Sequence, residues 1–224
     1  MAPELCCVDS AAFFVINDVK PMKNLSDAVG GVFVVENRSR ESTMSDVTSA
    51  EVVCFWREAG PERWFGKDEG FDLTIRTRFL ALHEAAARGE LAAWEESAEG
   101  ALALVILLDQ FPRNMFRASA HAFATDALAR VAANRALAPG FDQATDEMMR
   151  PFFYLPFMHS ELLADQDRSV QLHGAFGDPE RLKYAAIHRD IVVKFGRFPH
   201  RNRAMGRDTT PAEQEFLDGA GLAG

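Results

Sequence analysis

The stretch from Ala101 to Leu108 carries no polar side chain, and it stops abruptly in Asp109, Gln110, Arg113 and Asn114. A helix that is apolar on every side must be buried on every side, so the rest of the chain has to supply the elements that enclose it. It is a core helix that ends in residues able to do chemistry. The pattern Phe111-Pro112-Arg113-Asn114 has an echo nearer the C-terminus, Phe198-Pro199-His200-Arg201-Asn202, just past the end of another helix.

The elements around it read as helices. Thr48 or Ser49 caps a first helix with Val52, Val53, Phe55 and Trp56 on its apolar stripe, closed by Gly60-Pro61. Phe71, Ile75, Phe79, Leu82 and Ala86 mark one face of a second helix, which Gly89 ends. Gly100 opens the central helix, and Ser119 caps a further one to about Leu137, with Phe123, Ala127, Leu128 and Val131 facing inward. Asp142 to Met149 gives a short helix, and Pro156 is expected to interrupt any helix in the aromatic segment after it. Val170, Leu172 and Phe176 mark a helix to Gly177. Asp178-Pro179 starts a long one to Phe195 with Gly196 as its stop, and Thr210 to Glu213 is a capping box for the last. With no strand signal after Met44, the fold class is all-α, an array of about seven to nine antiparallel helices.

Residues 1–43 differ in character, with short β-type runs at Ala11 to Ile16 and Gly31 to Val35 and no helical period. They are expected to be a non-helical or disordered, loosely attached extension. Residues 44–224 form the single helical domain, and Met44 reads like a natural start.

A formal net charge of −9 argues against a nucleic-acid-binding surface, which needs a basic face. The three cysteines form no paired framework, which fits a reducing compartment, and no apolar run approaches the roughly 20 residues of a membrane helix. The expectation is a cytoplasmic protein with no nucleic-acid or membrane partner, and the oligomeric state is left open. No Gly-rich phosphate loop, dinucleotide fingerprint or serine elbow occurs, so no cofactor is implied.

The candidate chemistry gathers at helix ends. Asp109, at the expected C-terminus of the central helix, faces an unfavourable dipole, and Arg113 is its nearest partner. His188 lies within the stripe Tyr184, Ile187, Ile191 and Phe195, with Arg189 beside it and Arg197, His200, Arg201 and Asn202 beyond the helix end. His159 and Glu161 are two residues apart, which on a helix points them about 200° apart, and no His-x-x-x-His pair occurs, so no metal site is expected. Acid and base roles suit His159, His188, Glu161 and Asp109. A neighbouring carboxylate would fix a histidine tautomer and raise its pKa. Gln110, Arg113, Asn114, Arg189, Arg197, His200, Arg201 and Asn202 are the expected substrate-binding set.

Leu107 to Arg117, Tyr154 to Glu161 and Phe195 to Asn202, with Trp64-Phe65, Phe71-Asp72 and Trp94, closely resemble the bacterial domain-of-unknown-function family numbered 924, from about Val52 to Leu217. The resemblance implies a tetratricopeptide-like all-helical fold and brings no catalytic assignment with it. Two functions suit the residues. One is an enzyme acting on a small anionic metabolite by acid/base chemistry in an Arg/His/Asp pocket, and the alternative is a tetratricopeptide-like module that clamps a peptide carboxylate.

Overall fold

The computed structural model describes residues 47–219, all of whose regular elements are helical. Residues 1–43, the expected extension, lie outside the described part. Helices α1 (Ser49–Trp64), α2 (Glu69–Ala87), α3 (Ala98–Val105), α4 (Phe111–Met115), α5 (Asp126–Leu137), α6 (Phe141–Ala144), α7 (Leu155–Met158), α8 (Leu163–Phe176), α9 (Pro179–Phe195) and α10 (Pro211–Gly219) succeed one another along the chain. A π-helical turn, Ile106–Gln110, joins α3 to α4 without a break. Counting that rod as one helix gives nine among the described residues, none of them long and apolar enough to cross a membrane.

Local chemistry sets most of the boundaries. Thr48 is the N-cap of α1, and it exchanges hydrogen bonds with Glu51 in a capping box. Gly60 breaks the helix at φ 71, after which one further turn runs to Trp64. Asp68 caps α2, and Asp178 caps α9 ahead of Pro179. Gly177 (φ 85) and Gly196 (φ 70) end α8 and α9 in the left-handed conformation. The central helix starts earlier than expected, at Ala98 under a Ser97 cap. Gly100 is required for another reason: a Cβ there would lie 2.2 Å from the main-chain oxygen of Trp94.

Asp109 is not at a helix end. The π turn carries the rod through it, which removes the dipole penalty expected of a C-terminus. The turn and Pro112 release two carbonyls from helical bonding. The Phe111 amide reaches back to the Ile106 carbonyl, so Leu107 O is free to take the His83 Nδ1–H at 2.8 Å. Pro112 has no N–H to give Leu108 O, which instead accepts from the Thr125 hydroxyl at 2.6 Å. Both carbonyls are buried and both are satisfied.

The main core joins α1, α2, α3 and α5 with the aromatic segment around Phe152 and Phe157. The Trp56 ring meets Phe111 at 5.5 Å and Phe152 at 5.9 Å. The inward face of α5 differs from the expected one: Leu128 and Val131 are exposed, and Ala129, Ala132, Ala133 and Ala136 are buried. Small side chains let α5 lie close against α3, which is already filled by its own leucines. Pro156 does not interrupt a helix but sits in the first turn of α7, where its missing N–H costs nothing. A second, smaller apolar cluster is made by Ile191, Val192 and Phe198 with Ile187, Phe195 and Phe216.

Gly100→Ala tests the close approach to Trp94. At an open helix position this change stabilises by about 1 kcal/mol. Here it is expected to destabilise by roughly 2 kcal/mol or more as the backbone shifts, read from chemical denaturation. A stabilised variant would show that the Trp94 contact is not tight.

Candidate functional site

Asp109 is fully buried, so its carboxylate must be compensated inside the protein. Three groups do this. His159 Nδ1 lies 2.9 Å from both carboxylate oxygens, Gln110 Nε2 donates to Oδ2 at 2.6 Å, and Arg113 Nη1 is 3.3 Å from Oδ1. Burial would raise the carboxyl pKa, and the charge of Arg113 with the hydrogen bonds from His159 and Gln110 overcomes it and holds the group well below the usual range. His159 comes directly after α7 and is placed by the Tyr154 to Met158 turn.

The hydrogen bond to a carboxylate puts the His159 proton on Nδ1 and leaves Nε2 as a bare acceptor. That nitrogen has no protein partner, and the side chain keeps 17% exposure. The expectation that a carboxylate would raise the histidine pKa fails here. Burial is the largest influence, Arg113 adds to it, and together they outweigh Asp109 and lower the pKa. The ring is therefore neutral at neutral pH.

Arg113 extends the cluster through Asp126. Its Nη1 and Nη2 reach the two oxygens of Asp126 at 3.0 and 3.2 Å, and Nη1 also donates to the Asp109 carbonyl. Arg201 Nη1 donates to the same Asp126 at 3.2 Å from the turn after α9. Its guanidinium lies 4.5 Å from the Phe123 ring centre and 4.7 Å from that of Phe198. Desolvation, with repulsion from Arg113 next, lowers the Arg201 pKa to about 10. Asp109, His159, Arg113, Asp126 and Arg201 thus form one connected polar cluster.

The remaining predicted residues lie around or away from it. Glu161 does not join His159: it binds Arg207 through both oxygens at 2.8 and 3.0 Å and accepts from the Phe198 amide. His188 Nδ1 is bonded to the Tyr184 carbonyl, and its ring packs edge-on to Phe198 at 5.6 Å. The His200 ring lies 5.5 Å from the same phenylalanine. Asn114 donates to Asp72, which Arg117 also binds, so it braces α4 against α2. Arg189 pairs with Asp167, Arg197 is bidentate on Glu213, and Asn202 donates to Thr209. None of these last four side chains bonds to the cluster. Among the described residues no group of three or more His, Cys, Asp or Glu is placed to hold a metal ion.

Sequence reasoning misses Asp126, the carboxylate that joins the two arginines, because by sequence it is only one more position in the helix after Ser119. One signal is available: an acid opening a helix whose other inward residues are alanines. Arg207 is missed as well, since nothing in its sequence surroundings points to Glu161.

The molecule is an all-helical protein whose core encloses a carboxylate, imidazole and guanidinium cluster. It belongs to the family of bacterial proteins of unknown function DUF924, whose model matches residues 52–221 and so spans the whole cluster. It is similar to a solved structure of a protein of unknown function from Agrobacterium tumefaciens, with 52% sequence identity and a TM-score of 0.74, covering 77% of this chain and 97% of that one. No curated protein matches it.

The histidines predict a pH response. Burial pushes both His188 and His200 down to about 4 from an ordinary 6.5. The unfolded chain therefore binds protons first as pH falls, and stability that is complete above 6.5 is lost between 6.5 and about 4. The loss should be on the order of 2 kcal/mol per ring. Denaturant unfolding across this range checks it, with His200→Gln flattening the slope; a wild-type profile that stays level from pH 6.5 to 4 contradicts it.

Proposed function

We propose that the protein is an enzyme in which His159 acts as a general base on a small anionic substrate. The observation that carries this reading is the geometry of one dyad: a fully buried Asp109 bonded to His159 Nδ1, with His159 Nε2 left unpartnered on the partly exposed side of the ring. Asp109 positions the ring and selects the tautomer, as the orienting carboxylate does in other base-assisted sites. A base must be unprotonated to accept a proton, and the lowered pKa of His159 meets that condition at neutral pH. Arg113 and Arg201 bias the site toward an anion, whose developing negative charge they would stabilise. The chemistry that fits is removal of a proton from water or from a substrate carbon. Asp109 and His159 take the roles given to this residue set, while Glu161 and His188 support the turn around Phe198 instead.

The alternative, a tetratricopeptide-like module holding a peptide carboxylate, calls for its polar residues along an open groove. Gln110, Asn114, Arg201 and Asn202 are all buried, which gives it less support. A cytoplasmic location is compatible with either reading.

Two measurements test the dyad. In a nitrogen NMR spectrum at pH 7 the His159 ring should carry one proton, on Nδ1; a ring protonated on Nε2 rejects the proposal. On a panel of small carboxylate and phosphate esters and hydroxy acids, His159→Gln should reduce turnover by about 10²- to 10⁴-fold, and Asp109→Asn should reduce it while altering the tautomer. His159→Gln that turns over a wild-type substrate at the full rate would also end the proposal.

A further inference from the structure

The arginines near the cluster are not equivalent. Arg207 faces Glu161, and Arg197 faces Glu213, each through two hydrogen bonds to its own carboxylate. The Arg207 Nε is also buried without a partner, but that guanidinium bonds both oxygens of Glu161 and the Phe198 carbonyl. Arg113 holds both oxygens of Asp126 and the Asp109 carbonyl as well. Arg201 has far less. Its one bond is to Asp126 Oδ2, the oxygen that Arg113 Nη2 already occupies at the same 3.2 Å.

A guanidinium carries five N–H donors, and Arg201 uses one of them on a shared acceptor. Its Nε is buried and bonded to nothing in the protein, although the residue is only 6% exposed. Buried donors are almost always paired, so an unpaired one on a cation calls for an acceptor from outside the chain. Phe123 and Phe198 fix the plane of the group and strip water from it. The neighbouring His200 Nδ1 is also buried without a partner, and its ring lies against Phe198 too. Arg201 is near enough to His159 for its charge to be felt by that ring.

We propose that Arg201 is the residue that receives an oxyanion of the substrate, a carboxylate or phosphate group, on its free N–H donors. Nε and Nη2 lie along one edge of the guanidinium, the edge that accepts two oxygens in parallel. Asp126 and the two phenylalanines orient that edge, and Arg113 holds Asp126 in place. The ligand class is therefore a small molecule with one compact oxyanion beside the bond or proton on which His159 acts. The part that concerns His159 rests on the general-base reading; the binding of the oxyanion at Arg201 does not.

The test uses the whole chain, with inorganic phosphate and acetate as probes. Titrating either probe into wild-type protein should move the Arg201 Nε–H resonance, with an affinity measurable by calorimetry. Arg201→Lys, which keeps the charge and loses the fork, should weaken binding about tenfold or more, as expected for loss of a charge-assisted hydrogen bond. Arg135→Gln, a surface control that removes only a pair with Glu95, should bind as wild type does. If Arg201→Gln proves unstable, the Lys variant and the resonance shift still decide the matter. Binding that leaves the Arg201 Nε–H unmoved, equal affinity in Arg201→Lys, or no binding of either probe to the wild type overturns the assignment. Retained phosphate affinity in His159→Gln with lost turnover would support both readings, and lost turnover there with unaltered affinity in Arg201→Lys would overturn this one alone.

Discussion

The Asp109 carboxylate is where the demands of the fold and of the site meet. An ion with no solvent contact costs several kcal/mol to bury, and breaking a buried pair by removing one partner costs about 3–5 kcal/mol. Three side chains must therefore arrive together: Gln110 and Arg113 from the same rod, one and four residues on, and His159 from the end of α7, 50 residues away. Once Arg113 is drawn to Asp109 it is held from the other side by Asp126, and Asp126 in turn collects Arg201 from beyond α9. The larger core and the smaller cluster around Phe198 are thus linked through charges as well as through apolar contact.

The π turn makes this possible. In an unbroken α-helix Leu107 and Leu108 would give their carbonyls to residues 111 and 112, and the second of these is a proline. The extra residue in the turn rotates α4 relative to α3 and leaves two carbonyls facing other helices, where His83 and Thr125 close them. Those two bonds tie α2 and the start of α5 to the rod at the level of Asp109. The π turn and the position of the carboxylate are parts of one local solution, and such turns often occur at functional sites.

The helices and their limits are largely legible in the sequence because they depend on local chemistry. Thr48 with Glu51, Asp178 with Pro179, and Gly177 and Gly196 act over three or four residues and can be read without knowing the fold. How far the central helix continues cannot be read that way. Asp109 looks like an end because polarity begins there, yet the rod passes through it, since its neighbours in space supply the polar partners. The pairing of Asp109 with Arg113 is readable, being four residues apart on one helix. The pairings Asp126 with Arg201 and Glu161 with Arg207 span 75 and 46 residues and depend on how the chain closes. The histidine pKa escapes sequence reasoning for the same reason: a carboxylate neighbour can be guessed from sequence, whereas burial and a second guanidinium cannot.

A cluster of this kind is a poor device for stability alone. Well-packed apolar side chains of similar volume usually serve a core as well as or better than a buried ion pair, and this protein already has a continuous aromatic core against which such residues could pack. What apolar residues cannot provide is a neutral imidazole of fixed tautomer, with one nitrogen unpartnered, near a guanidinium that has more donors than its surroundings can use. The orphaned Nε of Arg201, like the His200 Nδ1 beside it, is a part of the arrangement that the fold does not explain. Asp109, Arg113 and Asp126 satisfy one another; Arg201 is held between two rings and left with an unpaired Nε, the donor on which the proposed oxyanion would bind.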